Sequence, residues 1–237
     1  IIDPKEVDEK QFVIRADLRA KGIFILTESS LLVITGSSGM GKTNLSLQLI
    51  AGELNSWKIT CFRSLGGLQI KDILNSVYAY SLSDAKNFIL DDLDFGEDFS
   101  LYEDVFARLI FLLRERNKKI IITSHKPIPS SMGLKLNISN ESELSIPKFN
   151  QAEIAIFLKN YSCPSQDISL WIQDIKFTTR LHPQLVHARV RRLQRGGWNK
   201  EDIFIKTEEL DQIRHEKVTS LLSEIPTKES RNFLLRL

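Results

Sequence analysis

The stretch "GSSGMGKT" at residues 36–43 constrains this chain more than any other, because of what stands on either side of it. It follows a short apolar, β-rich run, "LLVITG" at 31–36. It opens "KTNLSLQLIAGEL", where Leu45, Leu49 and Ile50 fall on one helical face. The pattern G-x-x-x-x-G-K-[ST] is met without a mismatch, and in the strand–turn–helix setting that its mechanism requires. Gly36, Gly39 and Gly41 let backbone N–H groups curl round phosphate oxygens, with Ser37, Ser38 and Met40 completing the loop and Asn44 following in the helix. Lys42 is placed to reach the β- and γ-phosphates and the Thr43 hydroxyl to ligate Mg²⁺, while the helix N-terminus adds its positive dipole end. A nucleoside triphosphate with Mg²⁺ is the expected ligand.

Such a site needs an acidic partner at the end of a neighbouring strand. "FILDDLD" supplies it: Asp91 closes an apolar run and is expected to hold Mg²⁺ together with Thr43. Asp92 follows at once and is the candidate to orient or deprotonate the attacking water, with Asp94 a second candidate. Catalysis is thus assigned to Asp92, Asp91 and Lys42. The run "IIITSH" puts Thr123 and Ser124 at the carboxyl end of another strand. There a short hydroxyl either senses the γ-phosphate or caps a turn before Pro127.

Strands are expected at 31–36, 58–62, 87–92, 119–124 and 133–139, with helices between them. Ser100 and Glu103 read as a capping box for a helix over 101–117, with an apolar stripe that includes Val105, Leu109 and Leu112. This alternation predicts an α/β fold, a parallel sheet covered on both faces by helices. After Pro147 the texture changes to helices alone, at 151–160, about 166–175, 183–195 and about 200–222, with a new start after Pro226. Asn150 and Glu153 form a second capping box, with Phe149 and Ile154 spaced as a hydrophobic staple. The expected organisation is a nucleotide-binding α/β domain over 1–147, a helical lid subdomain over 148–222, and the start of a further subdomain over 223–237.

At 237 residues the chain is long enough for a well-buried core. Its net charge of +2, from 32 basic and 30 acidic residues, decides nothing about nucleic acid, since only local clusters matter. Cys61 and Cys163 are too few for a disulfide framework, so a reducing, cytoplasmic setting is the expectation. No apolar run approaches the roughly 18–20 residues that span a bilayer. The start at "IIDP" and the end at "RNFLLRL" lead us to expect a piece of a larger protein.

Three classes can be tested by what is missing. GTP specificity needs N-K-x-D after a strand, whereas "NKKI" at 117–120 lacks the Asp and precedes one, so GTP specificity is unsupported. "SLGGLQ" at 64–69 imitates the ABC-transporter signature. It stands too close to the phosphate loop, and Asp92 occupies the place of that family's Glu. A small-molecule kinase or a RecA-like motor has no evident need of the helical block after Pro147.

That block decides the resemblance. "FTTRLHPQLVHARVRRLQRGGW" at 177–198 resembles the helical subdomain of the STAND NTPases, the AAA+-related switch ATPases that include the NB-ARC and NACHT groups. The matching element is His182-Pro183, and the resemblance implies that Pro183 packs on adenine while the loop 179–183 closes over the nucleotide. Pro at a first helical position is also sound capping chemistry. "LLSEIPTKESRNFLLRL" at 221–237 resembles the opening of the winged helix that follows in this class, here truncated. "FVIRADLRAKGIFIL" resembles the element ahead of the P-loop, with Arg15 as the matching Arg and Ile14 replacing a Gly. Two further departures from the class pattern follow, the first being that the Arg which reaches the γ-phosphate is absent. Thr123-Ser124-His125 stands where many NB-ARC members carry Thr-Thr-Arg, and Asp91-Asp92 is nearer the NB-ARC double Asp than the NACHT pattern.

The resemblance implies a switch. ADP is buried at rest, exchange for ATP drives homo-oligomerisation, sensor and effector domains lie outside this chain, hydrolysis is slow, and a bacterial antiviral-defence role is common in the class. Arg108, Arg114 and Arg116 are unranked candidates for an arginine finger. A competing expectation is an AAA+ ATPase that loads on DNA. It rests on the cluster Arg189, Arg191, Arg192 and Arg195 near Lys200, of which 189, 192 and 195 are expected to share a stripe if they are not simply a solvated face. A third is a stand-alone ATP-binding protein without an oligomeric cycle.

Overall fold

The computed structural model describes residues 14–83 and 86–203. Its contacts divide the chain into two compact units, Ile1–Pro147 and Lys148–Leu237. The first holds α1 (Ala16–Glu28), β1 (Leu31–Thr35), α2 (Lys42–Ile50), β2 (Trp57–Cys61), α3 (Gly67–Ser83), β3 (Asn87–Asp91), α4 (Glu103–Glu115), β4 (Ile120–Ser124), α5 (Ser130–Lys135) and β5 (Glu143–Ser145). All paired strands are parallel, in the order β2-β3-β4-β1-β5.

The strands read as near-continuous apolar runs because both faces of the sheet are covered. Leu31, Val33, Phe88, Leu90, Ile120 and Ile122 point into a core shared with α3 and α4. Their neighbours Leu32, Ile34, Ile89 and Ile121 point the other way, into a core with Ile25 and Leu26 of α1 and Leu45 and Ile50 of α2. The alternation of side chains along a strand thus builds two cores from one sheet. Gly22 lets α1 approach closely: a Cβ there would meet Leu49 Cδ2 at 2.9 Å.

Two expectations are corrected here. The run 133–139 is no strand; Ser130–Lys135 is helical, burying Met132 and then Leu136 four residues on while Leu134 is 84% exposed. The fifth strand is "ELS" at Glu143–Ser145, whose single buried residue, Leu144, is too little for periodicity to detect. Nor does Ser100 cap a helix over 101–117. A 3₁₀ turn occupies Glu97–Leu101, Tyr102 is the N-cap, and Glu103 becomes the first helical residue. Phe99 and Tyr102 are drawn into an aromatic cluster with Phe95 and Phe106, with centroids 5.2–6.0 Å apart, and this pulls the entry inward. Of the expected stripe, Val105 and Leu109 are buried and Leu112 half-buried.

The second unit contains α6 (Gln151–Asn160), α7 (Ile168–Thr179) and α8 (Pro183–Arg195). Its entry follows local chemistry. Asn150 Oδ1 accepts from the Glu153 amide at 2.9 Å, and Glu153 Oε2 accepts from the Asn150 amide at 2.8 Å, both halves of a capping box. α7 starts later and runs further than its periodicity suggests, ending at left-handed Arg180 (φ 50). α8 has the expected bounds, with His182 as N-cap and Pro183 at N1. The expected helix over 200–222 lies outside the described residues, apart from a 3₁₀ turn at Lys200–Asp202, and the expected truncated winged helix lies wholly outside them. Among the described residues no helix is long and apolar enough to cross a membrane.

Candidate phosphate and hydrolysis site

The site lies where β1, β3 and β4 end. From β1 the chain enters the glycine loop, with Gly36 at φ 152, Gly39 at φ 74 and Gly41 at φ 93. Gly41 is the N-cap of α2, in a left-handed conformation that an L side chain resists, and a Cβ there would meet nothing within 4 Å. The loop therefore closes as a backbone cradle with open space in front of Gly41. Lys42 is buried and donates to the Gly36 carbonyl at 2.8 Å and to Ser37 O at 3.3 Å. Ser37 and Ser38 are exposed, and Met40 turns inward onto the core. Asn44 has its Oδ1 engaged by Gln48 Nε2 at 2.5 Å, one turn along α2.

Asp91, at the end of β3, is 2% exposed. Its Oδ1 accepts from Thr43 Oγ1 and from Thr123 Oγ1, each at 2.8 Å. The hydroxyl expected to bind the metal and the carboxylate expected to share it thus meet directly, across 48 residues of sequence. The donor set of one hydroxyl and one buried carboxylate suits Mg²⁺, a hard cation that keeps most of its waters.

Asp92 stands in a left-handed conformation at φ 60, and its amide donates to Thr123 Oγ1 at 2.8 Å. Its carboxylate is gripped from two sides. Arg63 Nε lies 3.1 Å from Oδ2 and His125 Nε2 lies 3.2 Å from Oδ1. The His125 hydrogen bond first, and that of Arg63 after it, hold the carboxyl down at about 2, against the upward push of burial. The same contact with Asp92 raises the Arg63 guanidinium. An Asp92 so stabilised is ionised throughout the physiological range and is a weak proton acceptor.

The other expected residues divide. Ser124 is fully buried, and its Oγ accepts from the Lys126 amide at 3.2 Å, the turn-capping role; Thr123 is the strand-end hydroxyl that joins the acidic pair. Asp94 is exposed, with its carboxylate beside Gly96. Arg15 donates to Pro147 O at 2.9 Å. Arg114 bonds the Leu136 carbonyl, Arg116 bonds Ser81 O and Leu82 O, and Arg108 lies over the Tyr78 ring. In the second unit His182 and Pro183 are both buried at the start of α8, after two consecutive left-handed residues, Arg180 and Leu181.

The arginine cluster is corrected. Arg189 is 1% exposed and forms a two-point ion pair with Asp174, Nε to Oδ2 and Nη2 to Oδ1, both at 2.8 Å. It belongs to the interior of its unit, and the exposed stripe of α8 is Arg191, Arg192 and Arg195. Arg63 and His125 were not assigned site roles from sequence. His125 carried a signal, since it directly follows the strand-end hydroxyls; Arg63, 29 residues from Asp92, carried none.

With this geometry in view, the comparisons with known proteins can be read. No protein-family model matches the sequence, and neither does any curated protein. Solved structures do. The replication initiator DnaA bound to AMPPCP and single-stranded DNA aligns with a TM-score of 0.62 at 16% identity, covering 94% of this chain and 72% of that one. Cdc6p from Pyrobaculum aerophilum aligns at 0.52 and 13% identity, over 83% of this chain and 67% of that one. A Walker-type ATPase of Pyrococcus abyssi aligns at 0.51 and 14% identity, over 90% and 73%. The fold is that of the AAA+ P-loop ATPases. At these identities the likeness concerns the fold, and the chemistry rests on the residues described above.

Proposed function

We propose that this chain is the ATP/ADP-binding module of a STAND-type switch protein, with nucleotide exchange controlling homo-oligomerisation and slow hydrolysis resetting the state. The observation that carries nucleotide binding is the meeting of Thr43, Asp91 and Thr123 beside buried Lys42 at the mouth of the glycine loop. In this reading the loop amides and Lys42 hold the phosphates, and Thr43 and Asp91 hold Mg²⁺. The cation neutralises charge developing on the phosphoryl oxygens when bound. Asp92 orients the attacking water. His182 and Pro183 contact the base, as the resemblance implies.

Two features support a latch over an engine. Asp92 is a weak proton acceptor, and Arg114 and Arg116 have committed their guanidinium groups to backbone carbonyls. An arginine aimed at the transition state is worth about 10³–10⁵ in rate, and two of the three candidates for it are held at backbone carbonyls instead. A latch also requires ATP and ADP to bind its two arrangements with different affinity. The sensor and effector of such a protein lie outside this chain, and a defence role is what the class implies.

The deciding experiment is to denature freshly purified protein and identify the nucleotide released by chromatography. Near-stoichiometric ADP supports the latch. An empty site that turns over added ATP freely sets it aside.

A second reading is an ATPase that loads on DNA. It is favoured by the exposed arginines of α8 and by the single strand bound in the DnaA structure. Affinity for single-stranded DNA that falls steeply with salt, and that drops in Arg192→Glu/Arg195→Glu, would favour it. Loss of Arg189 from the stripe counts against it.

A further inference from the structure

We propose that Arg15 is a positioning residue for nucleotide binding, acting through Ile146 and Pro147 on the glycine loop; this rests on that loop being the phosphate cradle.

The pairing of β5 with β1 continues one rung past Ser145. Ile146 donates its amide to Thr35 O at 2.9 Å, immediately before the loop begins at Gly36. A Cβ built on Gly36 would lie 3.7 Å from Ile146 O and 3.8 Å from Ile146 Cβ, so Ile146 stands within van der Waals reach of the loop's first residue. Its side chain is buried in the same core as that of Met40, from inside the loop. Ile146 thus forms part of the wall on which the loop rests.

The next residue cannot extend the ladder. Pro147 has no N–H to donate, so the bonding between these strands stops at Ile146. A side chain from 132 positions away takes over: Arg15 Nη1 donates to Pro147 O at 2.9 Å. Pro147 is also the last residue of the first unit, so this bond fixes the point where the chain leaves that unit.

Arg15 is itself anchored. It is the N-cap of α1, and its carbonyl accepts from the Arg19 amide at 2.9 Å. About two turns further on, Gly22 brings α1 against Leu49 of α2, the helix that the glycine loop opens. α1 therefore holds the frame of the loop on two sides: α2 after it and, through Arg15, the Ile146–Pro147 wall beside its start.

A cradle of backbone amides binds phosphate only while those amides converge. When the convergent form is populated for a smaller fraction of the time, apparent affinity falls by that fraction. Clamping the wall raises the fraction without any contact with nucleotide. The clamp is one exposed hydrogen bond, so its effect is modest.

The test is equilibrium binding of methylanthraniloyl-labelled ADP and ATP, with Mg²⁺, to the whole chain, with stability followed separately in denaturant titrations. Arg15→Ala should weaken binding about three- to tenfold, and Arg15→Lys, which keeps a donor, should recover most of it. Ile146→Ala should weaken it at least as much, and adding Arg15→Ala to that variant should cost little more, because both act on one wall. Phe106→Leu, in the core on the other face of the sheet, should lower stability but leave affinity within about twofold. An affinity within about twofold in Arg15→Ala or in Ile146→Ala overturns the proposal. So do losses that multiply in the double variant, or a loss in Phe106→Leu equal to that in Arg15→Ala. Arg15 is only half-buried, so its variants decide the matter even if Ile146→Ala does not fold. Lys42→Ala separates the two levels. If it binds both nucleotides normally, the phosphate-cradle reading fails. If it binds neither while Arg15→Ala and Ile146→Ala bind normally, only the positioning role fails.

Discussion

Among the described residues two carboxylates lie buried, one in each unit, and they are satisfied in opposite ways. Asp91 accepts hydrogen bonds from two neutral hydroxyls, Thr43 and Thr123, and has no ion pair among the described residues. Asp174 faces a guanidinium that matches both its oxygens, and Arg189 Nη2 also reaches the Asp202 carbonyl. A buried charge is costly unless it is compensated. For Asp174 the compensation is internal and permanent, so the pair ties α7, α8 and the chain beyond them together. For Asp91 neutral dipoles suffice to hold it in place but do not cancel its charge, which is the condition in which a carboxylate attracts a cation. Burial of charge alone does not mark a functional site; the kind of partner does.

This contrast can be broken experimentally. Removing one member of the structural pair leaves the other buried and alone, so Arg189→Ala should destabilise the second unit by about 3–5 kcal/mol. Trp171 and Trp198, with rings 5.7 Å apart in that unit, report its unfolding by fluorescence in a denaturant titration. Asp174→Leu with Arg189→Met should recover most of that loss, because an apolar pair of similar volume is often as stable. Asp91→Asn should behave in the opposite manner. Its amide oxygen still accepts from both threonines, so stability should change by less than about 1 kcal/mol, whereas metal-dependent hydrolysis should fall by about a hundredfold or more. Similar losses of stability in both variants would erase the distinction.

A smaller effect comes from His187, whose ring lies 4.4 Å from that of Phe157. Burial, aided by the charge of Arg191, depresses it from 6.5 to about 4. Between those values the unfolded chain binds a proton that the folded unit refuses. The second unit should therefore hold its full stability above about pH 6.5 and lose on the order of 2–3 kcal/mol as pH falls to about 4. His187→Gln should flatten that slope in denaturant titrations across the range. The smallest effect is local: Asn150→Ala removes half of the capping box and should cost about 1 kcal/mol in the same assay, at any pH.

Much of the α/β unit was legible because its signals are local or periodic. The glycine loop, the apolar runs of β1, β3 and β4, and the residues Asp91 and Thr43 all stand where spacing puts them. So do the capping box at Asn150, set by hydrogen bonds within a single turn, and the helix that begins at Pro183, where a missing N–H costs nothing. The failures share a different cause. β5 has one buried side chain and leaves no period; α5 was misread because Leu134 and Leu136, two apart, imitate a strand although only Leu136 is buried. The entry of α4 was displaced by aromatic packing of Phe99 and Tyr102, a tertiary demand stronger than a capping pattern.

The sequence by itself determined that the chain carries a phosphate loop between a strand and a helix, and which carboxylate ends the strand opposite, because those facts depend on residue type and short-range order. Only the tertiary structure decided which groups meet. Arg189 became an interior partner of Asp174 instead of a surface charge, Ser124 became a turn cap while Thr123 joined the acidic pair, and Asp92 acquired Arg63 and His125 from two other strands. Parallel strands bring their ends together across long connections, so the neighbours of a strand-end carboxylate are set by sheet order, a property that no stretch of sequence contains.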